Sequence, residues 1–222
     1  MHDLILKATH TTIPVGKMLC LGRNYEKHAR EMGGDVPADP VIFMKPRTAL
    51  VYSGGTVLKP QIAHELHHEV ELVVVIDRTT RDVSEKYAMD YVLGYAVGLD
   101  MTLRDIQNVA KKRGEPWTVA KAFDTSAPIS DVVRRDQAGD PHALELKLAV
   151  NGEMRQHGST ADMILRIPAI ISYLSRIFTL EHGDCIFTGT PEGVGPVVAG
   201  DRLHAEIVGL VELDVTVEER GA

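Results

Sequence analysis

Short apolar runs, most of them rich in β-branched residues, recur along the chain at 4–6, 18–21, 41–44, 70–76, 91–99, 144–150, 185–188, 203–207 and 210–217. Runs of this length and make-up predict strands. The Asn151-Gly152 pair, between 146–150 and 153–156, predicts a hairpin whose turn needs positive φ at both positions. Gly209 predicts the turn of the last hairpin. Three stretches predict helices. Residues 102–113 place Leu103, Ile106, Val109 and Ala110 at helical spacing, with Thr102 as N-cap, Asp105 three residues on and Gly114 as the stop. Residues 167–177 carry Pro168 in their first turn. Residues 25–32 are short and polar and end at Gly33-Gly34, which leaves them free to move.

Strands do not alternate with long helices, so the pattern excludes a doubly wound parallel sheet. Residues 124–141 are polar and proline-containing and read as a long surface connection. The expected fold class is α+β. It is a curved, mixed β-sandwich or roll with a few peripheral helices, built as one domain over 1–222 with an N-terminal arm over 1–17.

Composition narrows the function. The 222 residues are 44% hydrophobic and 25% charged, which excludes disorder. The 24 basic and 31 acidic residues leave a net charge of −7, a poor match for nucleic acid or an anionic membrane. Cys20 and Cys185 both sit in apolar runs and read as buried, reduced thiols. The first residues have no basic start and only three consecutive apolar residues, so no signal peptide is expected, and the longest strictly apolar run is 72–76. The cytoplasm is the default compartment.

The stretch His67-His68-Glu69-Val70-Glu71 opening the run 70–76 carries the most chemistry. Alternation along a strand puts Glu69, Glu71, Val73 and Val75 on one face and Val70, Leu72, Val74 and Ile76 on the other. Both faces are apolar further on, so this is an inner strand. Two carboxylates there need a cation, a basic partner or a shared proton, because burying them unpaired costs several kcal/mol. The competing reading is that the start of the strand projects into water. Asp100, at the end of the run 91–99, adds a third carboxylate, and three oxygen donors suit Mg²⁺ or Mn²⁺. A zinc site using His67 is an alternative. Arg104 and Gln107 follow Asp100 by four and seven residues, on one helical face if the helix holds. Lys121 stands in an apolar context, either half-buried against a carboxylate or placed to hold an anion. Gly189, Gly193 and Gly195 follow the run 185–188, but no Gly-Lys-Ser/Thr comes after them, so a nucleotide loop is a poor reading.

The pieces CLGRNYEKHAREMG, PVIFMKPRTAL, HHEVELVVVI, GYAVGLDMTLRDIQ, PWTVAKAFDTSAPIS, VNGEMRQ and IFTGTPEGVGPV, in this order and spacing, resemble the fumarylacetoacetate hydrolase family. The match is best with its small one-domain branch, whose members hydrolyse acylpyruvates and decarboxylate oxaloacetate. The resemblance implies metal binding by Glu69, Glu71 and Asp100, with Mg²⁺ or Mn²⁺ as cofactor. It implies a histidine–glutamate dyad, His28 and Glu31, on a mobile lid over 24–34, and an active-site lysine, Lys121. Arg23, Arg104, Gln107 and Thr190 fall at positions near substrate. The implied partners are a small anionic 2-oxo acid and a second copy of the chain. The expected reaction is metal-dependent C–C hydrolysis of acylpyruvates. Oxaloacetate decarboxylation or tautomerisation, or isomerisation of a 2-hydroxyhepta-2,4-diene-1,7-dioate, are the alternatives on the same scaffold. A non-catalytic metal- or ligand-binding module is the reading from another class.

Overall fold

A computed structural model describes residues 3–33 and 39–221. Five of the expected strand runs meet in one six-stranded sheet. Its order is Val133–Arg134, Val92–Leu99, Val70–Ile76, Cys185–Phe187, Met18–Gly22 and Val41–Lys45. Val70–Ile76 pairs on both sides and all seven of its residues are buried, as an inner strand requires. A five-stranded sheet runs Glu153–Ser159, Glu145–Val150, Arg202–Ile207, Val211–Glu219 and Gly55–Lys59. Both sheets are mixed, since Cys185–Phe187 pairs parallel with Met18–Gly22 and Val211–Glu219 parallel with Gly55–Lys59.

The alternation along Val70–Ile76 divides the core. Val70, Leu72, Val74 and Ile76 pack with Leu146, Leu148, Leu203, Leu213 and the helix residues Ile167, Ile170, Ile171 and Leu174. Val73 and Val75 join Phe187, Cys20, Met18, Leu4 and Ile13 in a second cluster. The α+β sandwich expected from the strand pattern is therefore the fold. Asn151 and Gly152 turn the expected hairpin at φ 53° and 83°, and Gly114 ends its helix at φ 68°. Both cysteines are buried and free.

Three expectations change. Thr102 is no helix cap. It pairs with His67 in a short strand, its hydroxyl donates to the Asp100 carbonyl oxygen at 3.0 Å, and the helix runs Arg104–Arg113 from an extended Leu103. Asp105 accepts instead from the His64 backbone N–H at 2.8 Å. Residues 124–141 are not a surface connection throughout. Ser126–Ser130 are all buried, Ala127–Pro128 pairs parallel with Leu50–Val51, and Ser130 Oγ accepts from Val97 N–H at 3.1 Å. Ala127, Ile129 and Val132 supply the apolar surface that draws this segment onto the second cluster. Some short or edge strands, including Gly55–Lys59, Leu66–His68 and Gly195–Val197, gave too little alternation to be read in advance.

The polar segment at 25–32 forms the helix Glu26–Glu31, with Tyr25 extended before it and His28 and Ala29 buried. Asn24 fastens its entry. Asn24 Nδ2 donates to the carbonyl oxygens of Leu165 at 3.0 Å and Thr188 at 2.8 Å, and Asn24 Oδ1 accepts from Leu165 N–H at 2.7 Å. Gly34, the last residue of the expected lid, lies outside the described residues.

Candidate active site

The edge between the two sheet faces carries the polar centre. Glu69 joins the strands Leu66–His68 and Val70–Ile76, and its carbonyl oxygen accepts from Asp100 N–H at 2.8 Å, so the ends of two adjacent strands hold both carboxylates. Glu71 follows one pleat on. Ligand oxygens of Glu69, Glu71 and Asp100 lie within 4.8 Å of one another, and the residues are 5%, 1% and 1% exposed.

Three buried cations interleave with them. Lys121 Nζ donates to Glu69 Oε2 at 2.8 Å, Asp100 Oδ2 at 2.6 Å and Thr102 Oγ1 at 2.6 Å, which uses all three ammonium protons. Burial alone would lower the Lys121 pKa, but Asp100 and Glu69 raise it, so the group is a fixed positive charge. Arg104 pairs with Glu69 Oε1 and donates to Gln107 Oε1 at 2.6 Å, and both residues of this helical face are buried. Lys45 pairs with Asp100 Oδ1 at 2.8 Å. The sequence reading did not single out Lys45. Its one signal was a lysine ending the apolar run at 41–44, which ordinarily reads as a solvated terminus.

Glu71 is treated differently. It accepts from Gly189 N–H at 2.7 Å, and among the described residues no cationic side chain pairs with it. Burial, with the charges of Asp100 and Glu69, pushes its carboxyl well up. At Glu69 burial acts in the same direction, but Lys121 and Arg104 outweigh it and hold that carboxyl well down. One hard-oxygen corner thus lacks positive charge, which fits a divalent cation such as Mg²⁺ or Mn²⁺. Gly189 serves it through its backbone. At φ 96° a side chain would be strained, and a Cβ there would lie 2.7 Å from Asn24 Cβ. His67 lies outside the converging carboxylates. Arg104 Nε donates to His67 Nδ1 at 3.4 Å, and burial with that guanidinium lowers the ring to about 4, so it is neutral.

The helix Glu26–Glu31 borders the cleft. His28 Nδ1 lies 3.2 Å from Glu31 Oε2, and Glu31 Oε1 accepts from Gly193 N–H at 3.0 Å. The glycine-rich loop after Cys185–Phe187 therefore offers its amides to carboxylates at Gly189 and Gly193, not to phosphate. His28, Arg23, Arg104, Gln107, Lys121 and Thr190 all line one cleft with Glu69 and Glu71.

Gln156 is a second residue the sequence reading missed, because it lies within a mostly polar hairpin strand. Its Oε1 accepts from Val70 N–H and His68 Nδ1, each at 3.0 Å, and its Nε2 donates to Thr190 Oγ1 at 2.8 Å and Pro191 O at 3.0 Å. One buried carboxamide so ties the Glu69–Glu71 backbone to the Thr190 loop. Gln156→Leu strips partners from several buried groups and is expected to cost about 3 kcal/mol, read from urea unfolding midpoints. A loss under about 1 kcal/mol would show that water replaces the amide.

A family profile described as fumarylacetoacetate (FAA) hydrolase C-terminal matches residues 17–218. The mitochondrial oxaloacetate tautomerase FAHD1 of Arabidopsis thaliana is 54% identical over 204 residues, covering 92% of both chains. The crystal structure of fumarylpyruvate hydrolase from Pseudomonas aeruginosa with Mn²⁺ and pyruvate superposes with a TM-score of 0.93 at 42% identity, covering 98% of this chain and 96% of that one. That of 2-hydroxyhepta-2,4-diene-1,7-dioate isomerase from Mycobacterium marinum gives 0.83 at 39% identity, covering 95% and 79%. With one profile spanning both sheets and relatives matched nearly end to end, the chain belongs to the fumarylacetoacetate hydrolase family, in its small one-domain branch.

Proposed function

We propose that this chain is a metal-dependent enzyme acting on a short 2-oxo acid, and that its main reaction is the keto–enol tautomerisation of oxaloacetate. Likeness to an oxaloacetate tautomerase at 54% identity supports tautomerisation as the main reading, ahead of the hydrolysis that the family resemblance alone suggested. The observation that carries the chemistry is the charge pattern of the cleft: three buried carboxylates, three buried cations and one carboxylate without a cationic partner. A Mg²⁺ or Mn²⁺ ion held by Glu69, Glu71 and Asp100 would supply Lewis acidity that stabilises enolate charge on the 2-oxo oxygen.

The chain's own groups divide the remaining work. Arg104 fixes the Gln107 carboxamide by its oxygen, which leaves the Gln107 N–H groups to orient substrate. Thr190 Oγ1 accepts from Gln156, so its own proton is free for a substrate oxygen. Lys121 contributes charge and no proton, since its three donors are taken. Proton transfer at C3 therefore falls to His28. With Nδ1–H held by Glu31, Nε2 carries the lone pair. From enol to keto, the neutral His28 Nε2 takes the enol hydroxyl proton, and the imidazolium so formed delivers it to C3, which leaves His28 neutral again.

The same dyad supports a second reading, acylpyruvate hydrolysis, in which His28 activates a water against the distal carbonyl and a pyruvate enolate departs. Three parallel assays with Mg²⁺ separate the reactions: decay of the enol absorbance of oxaloacetate, pyruvate release from oxaloacetate, and pyruvate release from acylpyruvates. Enol decay is expected to exceed pyruvate release by at least about tenfold. Acylpyruvate cleavage at an equal or greater rate would overturn tautomerisation as the main activity.

A further inference from the structure

We propose that Lys111 is the specificity residue for the distal carboxylate of a 2-oxo dicarboxylate, completing with Arg23 an anion subsite at the outer end of the cleft. This deepens the reading of a short 2-oxo acid substrate and rests on it.

The argument begins with helical spacing. Arg104, Gln107 and Lys111 stand at i, i+3 and i+7 on the helix Arg104–Arg113 and so share one face. Arg104 and Gln107 are buried, Lys111 is half-buried, and all three line the cleft. That face therefore runs from the carboxylate centre outward, with Lys111 about 6 Å beyond Gln107 along the axis.

Charge gives the second step. Lys45, Arg104 and Lys121 already equal Glu69, Glu71 and Asp100 in number and are taken up by pairs with Glu69 and Asp100. Arg23 and Lys111 add two more positive charges to the cleft wall. Among the described residues neither forms an ion pair, and the contact recorded for Lys111 is with the Trp117 ring, 5.3 Å from Nζ to the centroid. Two partly desolvated like charges without a counterion are unfavourable unless an anion joins them. Burial, with the Arg104 and Arg23 guanidiniums, lowers Lys111 to about 8, and an arriving carboxylate would reverse that.

Backbone strain gives a third, independent sign. Arg23 holds φ 62°, a left-handed conformation that costs a residue with a side chain about 1–2 kcal/mol. Such strain outside glycine concentrates where a side chain must be aimed. The inner centre grips the 2-oxo carboxylate end, so the Arg23–Lys111 pair is free for the other end.

The test uses two unreactive ligands that differ by the distal carboxylate alone. Malate is lactate with a carboxylate in place of a methyl hydrogen. The full-length protein with Mn²⁺ is titrated with each by calorimetry. Wild type is expected to bind malate at least tenfold more tightly than lactate. Lys111→Met keeps a chain over Trp117 and should cut that ratio to within about threefold, with lactate affinity unchanged. Lys111→Arg should retain the preference. No preference in wild type, or an undiminished ratio in Lys111→Met, overturns the subsite. The reaction is read separately: a malate preference abolished by Lys111→Met, with no turnover of enol oxaloacetate by wild type, removes the tautomerase reading and leaves the subsite standing. With turnover present, Lys111→Met should raise KM for oxaloacetate about tenfold and leave kcat within twofold.

Discussion

Glu71→Ala is expected to abolish tight binding of Mg²⁺ or Mn²⁺ and to lower turnover by about a thousandfold, with the chain still folded. The size follows from the several kcal/mol that a bound ion contributes to charge stabilisation, at about 1.4 kcal/mol per factor of ten. The fold survives because the core beneath Glu71 is apolar on both faces of its strand and owes nothing to the ion. Stability gives a second readout. Burial, Asp100 and Glu69 raise the Glu71 carboxyl above its usual 4.5, so the folded chain keeps a proton that the unfolded chain gives up. Its contribution is present in full below the unfolded value and is lost as pH rises through the folded one. Metal-free wild type should therefore lose stability relative to Glu71→Gln as pH climbs through that window, and Mg²⁺ should restore it in wild type alone. Denaturant midpoints with and without chelator make the comparison. A Glu71→Gln variant that binds Mn²⁺ as wild type does would remove Glu71 from the metal site.

The fold was legible because its inner strand states its own environment. Alternation over 69–76 sorted side chains into two apolar sets, and the structure packs one set against the second sheet and the other against the N-terminal residues. The carboxylates were legible for the same reason, since a charge on an inner strand demands a partner. Of their partners, Arg104 and Lys121 were legible too, whereas Lys45, Gln156 and Lys111 were not. Lys45 ends a half-buried edge strand, Gln156 lies in the middle of a mostly polar hairpin strand, and Lys111 precedes Lys112 and Arg113 in the helix's basic last turn. Each has an ordinary local explanation, and only the tertiary meeting of three separate segments withdraws it. Thr102 failed in the opposite sense. Its local pattern called for a cap, but backbone pairing with His67 and the Lys121 ammonium compete for it more strongly.

His28→Ala carries the other large expected effect, a loss of turnover by about 10²–10⁴-fold, the range typical of a positioned acid or base. Affinity for Mn²⁺ and for oxalate should stay within about twofold, because neither contact belongs to His28. Equal losses of turnover and oxalate affinity would make His28 a ligand-holding group, and unchanged turnover would remove it from the reaction. Glu31→Gln distinguishes orientation from charge. The carboxylate accepts Nδ1–H, which leaves Nε2 as the base. A carboxamide nitrogen turned to His28 would donate to Nδ1 and move the ring proton to Nε2, the wrong tautomer for abstraction. Turnover should then fall by about 10–100-fold, the usual cost of removing an orienting partner, although the carboxamide oxygen of that variant would still accept from Gly193. The six-residue helix that carries both groups is too short to stand by itself. Asn24, the buried face of Ala29 and the Glu31–Gly193 bond hold it down, so its local opening should cost far less than global unfolding. Amide exchange over 26–31 is expected to be fast in the free protein and to slow when oxalate and Mn²⁺ occupy the cleft. Equal protection in both states would mean that the helix is a fixed wall, with access to the site governed elsewhere.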